Sequence, residues 1–345
     1  MFFSNLNIIN SCILSFLTSL LIMLLCGSKF IELMHSWQVE GQPIRKCGPK
    51  SHLKTKKGTP TMGGLLILFA ILISTLLFAN LRSGITWVCI CVMLVFGATG
   101  FWDDYVKIKK HTPDAMTAKI KLLIQLSVAL GIAIYAVSQY QGAIKYSVII
   151  PYINVPVYLW YFYIPLLMFV IAGTSNSVNL SDGLDGLAAG LLIPAFMFFL
   201  ATTIIFVSSF AQLAPFGNIS VISAATMGAC LGFLWFNAFP AKIFMGDTGS
   251  LSLGALLGTV AIMTKQEALL AVVGFIFVIE SLSVIIQVFW YKRTKTRVFL
   301  MAPIHHHFEQ LGLPETRIVM RFWIIAWIAF LIGLCALITQ GFGGN

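Results

Sequence analysis

The sequence predicts an all-α membrane protein that crosses a bilayer about ten times, and three observations carry that prediction. Hydrophobic residues make up 59% of the 345-residue chain and charged residues only 10%, where soluble proteins carry about 25%. Apolar stretches close to 20 residues long, the length a hydrocarbon core demands, recur from end to end. Short loops join them, which excludes membrane strands of about 10 residues with alternating polarity. The mean hydropathy of +0.92 agrees, and one integral membrane domain over residues 1–345 is expected.

The helices are expected at about 6–28, 60–80, 84–102, 119–139, 157–175, 183–207, 220–239, 250–264, 268–290 and 321–340. No Lys or Arg precedes the first apolar run, and Lys29 follows it. That order is the reverse of a cleavable signal peptide and predicts an N-terminus outside. The inner loops are then 29–59, 103–118, 176–182, 240–249 and 291–320. With the adjoining helix ends they hold nineteen of the twenty-two Lys and Arg residues, leaving only Arg82, Lys145 and Lys265 outside. This bias places both termini in the periplasm and the inner loops in the cytoplasm. All six histidines fall on that inner side as well. The outer segment 140–156, with Pro151, Asn154 and Pro156 among β-branched residues, is expected to form a short hairpin.

The net charge of +10 does not indicate nucleic acid, because the basic residues flank membrane spans; the partner they imply is the lipid bilayer. The seven cysteines include no Cys-x-x-Cys pair, so neither a zinc site nor a disulfide framework is indicated. No internal repeat is evident, against the inverted-repeat plan of many transporters.

The acidic residues mark the chemistry. Five of the six aspartates lie in three motifs at the inner ends of spans: Phe101–Tyr105, Asn176–Gly186 and Met245–Ser250. Carboxylates gathered at one membrane face repel one another unless a cation holds them. Asp103 and Asp104 end the third span and suit a hard cation such as Mg2+, with Lys107 close enough to hold phosphate. Asn176, Asn179, Asp182 and Asp185 recur every third residue, which drifts around a regular helix. A loop that enters the sixth helix at Asp182 fits better, with Asp182 and Asp185 in its first turn, where the dipole favours anions. Pro240 ends the seventh helix, and Asp247 is placed either to cap the eighth or to face Asp103 and Asp104. Lys57–Gly64, which includes Thr61, is either an anion-binding helix start or a membrane-entry turn with packing glycines. His305, His306 and His307 are adjacent, so they cannot easily ligate one ion, and phosphate contact or acid–base work suits them better. Glu280 and Gln287 lie within the ninth span, where an acid is a functional candidate. No Gly-x-Ser-x-Gly, Cys–His pairing or Rossmann fingerprint supports a covalent or dinucleotide mechanism.

Taken together, Gly58–Gly64, Asp103-Asp104-Tyr105, Asn176–Gly186, Asn237–Ser250 and Pro303–Glu309 resemble, in order and spacing, the phospho-N-acetylmuramoyl-pentapeptide-transferase family. These are polyprenyl-phosphate N-acetylhexosamine-1-phosphate transferases. The resemblance covers nearly the whole chain. It implies a transfer from UDP-N-acetylmuramoyl-pentapeptide to undecaprenyl phosphate with Mg2+, giving lipid I and UMP. It further implies a homodimer in a bacterial inner membrane, with the active site in a cleft at the cytoplasmic face. By the same resemblance Asp103, Asp104 and Asp247 are the essential aspartates. Asp247 with Asn179 would hold Mg2+, and Asp103 would deprotonate or orient the lipid phosphate. Asn237, Asp182 and Phe244 match nucleoside-pocket positions. Lys57, Thr61, Lys107, Lys119, Asp185, His305 and His306 match polar positions around the phosphates and sugar; Asn176, Gln287 and His307 complete the substrate-facing candidates. His111 departs from the pattern where a Lys is expected. The sister activity, transfer of N-acetylglucosamine-1-phosphate to the same lipid, is the alternative. The three histidines followed by Phe308-Glu309 resemble the muramoyl-pentapeptide branch.

Overall fold

The computed structural model describes residues 7–38, 58–110, 116–209 and 216–342. Its helices are α1 (Ile8–Trp37), α2 (Gly64–Phe78), α3 (Gly84–Lys110), α4 (Ala118–Ser138), α5 (Tyr163–Ser181), α6 (Leu187–Ser209) and α7 (Gly217–Asn237). They continue with α8 (Gly246–Met263), α9 (Glu267–Val273), α10 (Phe275–Thr294), α11 (Ile304–Gln310) and α12 (Glu315–Phe342). The expected hairpin is present: β1 (Ser147–Ile150) pairs antiparallel with β2 (Val155–Tyr158).

Among the described residues, eight helices are long and apolar enough to cross a membrane: α1, α3, α4, α5, α6, α7, α10 and α12. The two further spans expected from hydropathy differ in kind. Helix α2 has only 15 residues, about 22 Å of rise. Helix α8 has 18 residues and is buried on every side, each residue from Thr248 to Met263 included. Because α8 meets no lipid, it carries serines, threonines and glycines. Gly249 and Gly64 abut, a Cβ on Gly64 falling 2.2 Å from the Gly249 nitrogen. A Cβ on Gly254 would fall 2.7 Å from Ser175 Cα. Small residues thus bring α2 and α5 to near backbone contact with α8. Ser252 donates to the Met93 carbonyl at 2.6 Å, and Ser175 donates to the Leu251 carbonyl at 2.8 Å. Helix α8 is the post around which α2, α3 and α5 pack.

Three helices run past their hydropathy boundaries. Helix α1 runs nine residues past residue 28, α3 eight past residue 102, and α12 starts six before residue 321. Hydropathy reports the lipid-facing segment, whereas the backbone keeps its hydrogen bonds into the polar region. Lys107, Lys109 and Lys110 in the last turns of α3 suit its negative dipole end. The expected ninth helix is divided at Gly274 into α9 and α10. The sixth begins at Leu187 rather than 183, so Asp182 and Asp185 lie in the turn before it and not in its first turn. Gly186, at φ +76, is the break, since that conformation suits glycine alone.

Candidate active site at one end of helix α8

Three aspartates from two helices converge at the start of α8. Asp103 and Asp104 lie inside α3, seven residues from its end, and are 4% and 1% exposed. Met245, at the N-cap of α8, makes no side-chain capping bond. Asp104 does this work instead. Its carboxylate accepts from the Thr248 amide at 3.0 Å, the Thr248 hydroxyl at 2.8 Å and the Asp247 amide at 3.2 Å. A residue 143 positions upstream therefore satisfies the orphan donors of the helix start. Gly246, at φ +74, lets the two elements meet: a Cβ there would fall 2.6 Å from Asp104 Oδ2.

Asp247 is consequently released from capping. Its side chain is 16% exposed. Lys121 donates to Asp247 Oδ2 at 2.7 Å and Lys107 at 3.1 Å. Asn179 donates to Oδ1 at 2.7 Å. Lys107 also pairs with Asp103 Oδ2 at 2.7 Å, one helical turn away, and Asp103 Oδ1 accepts from the Met116 amide. Three carboxylates against two ammonium groups leave one formal negative charge.

The donors fit a hard cation in a particular way. No three described His, Cys, Asp or Glu side chains form a ready-made metal cage. Mg2+ rarely uses one: it is bound by one or two carboxylates, with water and substrate phosphates completing the shell. Asp247 and Asp103 offer such a pair. Asp104 fits less well, because its oxygens are held by the amides and hydroxyl at the start of α8, whereas Oδ2 of Asp103 and of Asp247 is held by lysine side chains that can turn to a substrate phosphate.

Asn176 and Asn179 lie in the last turns of α5 rather than in a loop, on one helix face. Asn179 reaches Asp247, while Asn176 donates to Gln125 Oε1 at 2.8 Å and to the Ala172 carbonyl at 2.7 Å. Asp185 accepts from the Ala241 amide, and its own amide donates to Glu315. Asn237 accepts from the Gly186 amide at 3.0 Å and donates to the Ile243 carbonyl at 2.8 Å. Asp185 and Asn237 thus staple the 182–186 turn to the α7–α8 connection, where Phe244 is half-buried. Asp182 caps the end of α5 and is partly exposed.

At the entry to α2, the amides of Gly63 and Gly64 donate to the carbonyls of Phe244 and Met245, both at 2.9 Å. The glycines serve close packing, and their N–H groups are not turned toward an anion. Thr61 is buried, its hydroxyl without a hydrogen-bond partner among the described residues. Lys57 lies outside the described residues, as does His111.

The histidines divide their tasks. His305 is fully buried against Glu280. His306 Nδ1 lies 2.6 Å from Glu309 Oε2. His307 Nδ1 accepts from the Leu300 amide at 3.2 Å. Gln287 accepts from the amides of Val298 and Phe299, holding the same loop.

Lys119, a candidate by the family resemblance, is exposed, whereas Lys121, which the sequence analysis did not single out, joins the cluster. The signal was present. Lys121 and Gln125 are four residues apart on an otherwise apolar helix and share one face, and Gln125 is 2% exposed.

A buried carboxylate cluster with lysines, at the end of a polar central helix in a membrane bundle, suits a membrane enzyme that handles phosphate. The profile of glycosyl transferase family 4 matches residues 86–265, the span that contains the three aspartates. The phospho-N-acetylmuramoyl-pentapeptide-transferase signature 1 matches residues 56–68. A phospho-N-acetylmuramoyl-pentapeptide-transferase of Granulibacter bethesdensis is 48% identical over 329 residues, covering 93% of this chain and 91% of its own length. The chain belongs to the phospho-N-acetylmuramoyl-pentapeptide-transferase family.

Proposed function

We propose that the chain transfers phospho-N-acetylmuramoyl-pentapeptide from UDP-N-acetylmuramoyl-pentapeptide to undecaprenyl phosphate, giving lipid I and UMP. The observation that carries this is the meeting of Asp103 and Asp247, across Lys107, in a member of this family. The sister reaction with UDP-N-acetylglucosamine is not favoured, since both the signature and the relative bear the muramoyl-pentapeptide name.

The residues suit in-line phosphoryl transfer. A lipid-phosphate oxygen attacks the β-phosphorus, the bond from that phosphorus to the bridging oxygen breaks, and UMP leaves with the electron pair. Asp103 orients the lipid phosphate or takes its proton. Lys107 and Lys121 exchange carboxylate oxygens for diphosphate oxygens as the donor enters, and stabilise charge that builds there. Mg2+, held by Asp247 and Asp103 with Asn179 after an amide flip, would neutralise diphosphate charge when bound. An aspartate held against a cation is a weak nucleophile, which supports direct attack over a phospho-aspartate. The basic bias of the inner loops supports a cytoplasmic site in a bacterial inner membrane. A homodimer belongs to the same reading on family resemblance alone, and sizing in detergent tests it.

The test is UMP release by purified protein given undecaprenyl phosphate, Mg2+ and each UDP-sugar in parallel. Turnover of the muramoyl-pentapeptide donor alone, lost on chelation, is expected. Turnover of UDP-N-acetylglucosamine alone overturns the substrate, and turnover that survives chelation overturns the metal.

A further inference from the structure

Glu280 has no part in the chemistry above, yet it is a carboxylate at 0% exposure within the membrane-spanning helix α10. Its one hydrogen-bonded oxygen, Oε2, lies 3.0 Å from Nδ1 of His305, which is also at 0% exposure. The other atoms of this pair are orphaned: among the described residues, Glu280 Oε1 and His305 Nε2 have no hydrogen-bond partner. A buried carboxylate on an apolar span is costly, so the pair must return something. A hydrophobic pair of similar volume would hold the helices at least as well.

What the pair does is visible on the far side of the imidazole. A Cβ on Gly183 would fall 2.4 Å from His305 Nε2 and 2.9 Å from Cε1. Only glycine admits the ring, and Gly183 belongs to the turn that carries Asp182 and Asp185. On its flank the His305 ring meets the His306 ring at 4.1 Å between centroids, edge to face. Any rotation of His305 therefore moves both the aspartate turn and His306.

We propose that Glu280 is a positioning residue: from within the membrane it fixes the orientation and tautomer of His305, and so sets His306 and the Asp182–Gly183 turn against each other. A carboxylate oxygen accepts, so the proton sits on Nδ1 and Nε2 is the bare nitrogen against Gly183. A proton on Nε2 would bring a buried donor with nothing to receive it. Glu280 pairs with His305 and not with Asp103, Asp104 or Asp247. Its loss is therefore expected in the binding of the donor more than in the chemical step. This kinetic part rests on the function proposed above; the tautomer does not.

The experiment has two arms. The first is 15N NMR of histidine-labelled protein in nanodiscs, with the His305 signal assigned by its loss in His305→Asn. The wild type should show the neutral Nδ1–H form. Glu280→Gln, whose amide oxygen still accepts, should keep it, and Glu280→Leu should lose it. An Nε2–H signal in the wild type overturns the proposal whether or not the protein turns over any donor. The second arm is steady-state kinetics per folded molecule. Glu280→Leu should raise KM for the nucleotide donor roughly 10–100-fold, by analogy with partners that orient metal-ligating histidines, with kcat changed far less. Glu280→Gln should restore most of it. Gly183→Ala should raise KM similarly in the wild type and add nothing in His305→Asn. Folded Glu280→Leu with unchanged KM, or a Glu280→Gln no better than it, overturns the positioning role. If Glu280→Leu does not fold, the wild-type tautomer and the Gly183→Ala cycle still decide.

Discussion

Helix α8 carries a buried, ion-rich cluster at each end, and the two differ in how their charges are satisfied. At the aspartate end, the Asp247, Lys107 and Lys121 side chains keep 11–16% exposure, and side chains alone bridge Asp103 and Asp247. At the tyrosine end, Lys265 and Glu267 are 4% and 6% exposed. Lys265 donates to Tyr163 Oη at 2.8 Å and to the carbonyls of Lys145 and Ser147. Tyr163 in turn donates to Glu267, and Tyr140 donates to the Met263 carbonyl at 2.6 Å. The Lys265 ammonium sits 4.1 Å from the Tyr163 ring centroid. Here one cation and one anion are balanced and enclosed by phenols and backbone, which ties the hairpin to the bundle. Ionisable groups become a site where they stay open to solvent and are held by exchangeable side chains; closed in by phenols and backbone, they are structure.

The largest effect expected from breaking this contrast is at Asp103. Asp103→Asn should lower turnover by at least about 10²-fold, the contribution of a positioned acid–base group, while the nucleotide donor still binds. Single-turnover kinetics beside donor binding measures both, and a variant with near-normal turnover removes Asp103 from the chemistry. Next in size is Lys121→Ala, expected to lower kcat/KM by about 10²-fold through lost charge stabilisation. Lys119→Ala should stay within about threefold, the effect of an exposed and salt-screened charge. Equal losses in the two variants would mean that the cluster is not the phosphate site.

Asp104 should behave as neither kind of end. Asp104→Asn removes a charged cap, so about 1–3 kcal/mol of stability is expected to go, together with a fall in turnover smaller than that of Asp103→Asn. Thr248→Val removes only one of the three bonds to Asp104 and should cost about 1 kcal/mol. Thermal unfolding alongside kcat separates the two effects. Unchanged stability in Asp104→Asn would return it to the catalytic group.

How much of this was legible follows from where each signal lies in the chain. The spans, the hairpin and the grouping of Asp103, Asp104 and Asp247 at one face are local patterns of apolar length, loop charge and motif. The role of Asp104 was not legible, because its three donors sit more than 140 positions away. The burial of α8 was hidden for a related reason: its Ser, Thr and Gly content lowers hydropathy, although those same residues let α2 and α5 approach it. The pairing of Glu280 with His305 joins a span to a loop, and spacing cannot report it. Lys121 is legible from the face it shares with Gln125 on an otherwise apolar helix.

The smallest and most discriminating effect concerns pH at the tyrosine end. Burial pushes the Glu267 carboxyl up to about 7 and pulls the Lys265 ammonium down to about 8. Glu267 has a raised folded value, so its contribution is complete below the ordinary carboxyl range and is lost as pH rises through about 7. Lys265 has a depressed folded value, so its contribution is complete only above the ordinary lysine range and is lost as pH falls through about 8. Between those values both groups are charged inside a closed cluster, and this end adds least to stability. The difference in unfolding temperature between the wild type and a Lys265→Met, Glu267→Gln variant should therefore have its minimum near pH 7–8 and grow on either side. A difference that is flat across this range would mean that the two charges are solvated. The tyrosine end would then resemble the aspartate end, and the contrast between them would have to rest on geometry alone.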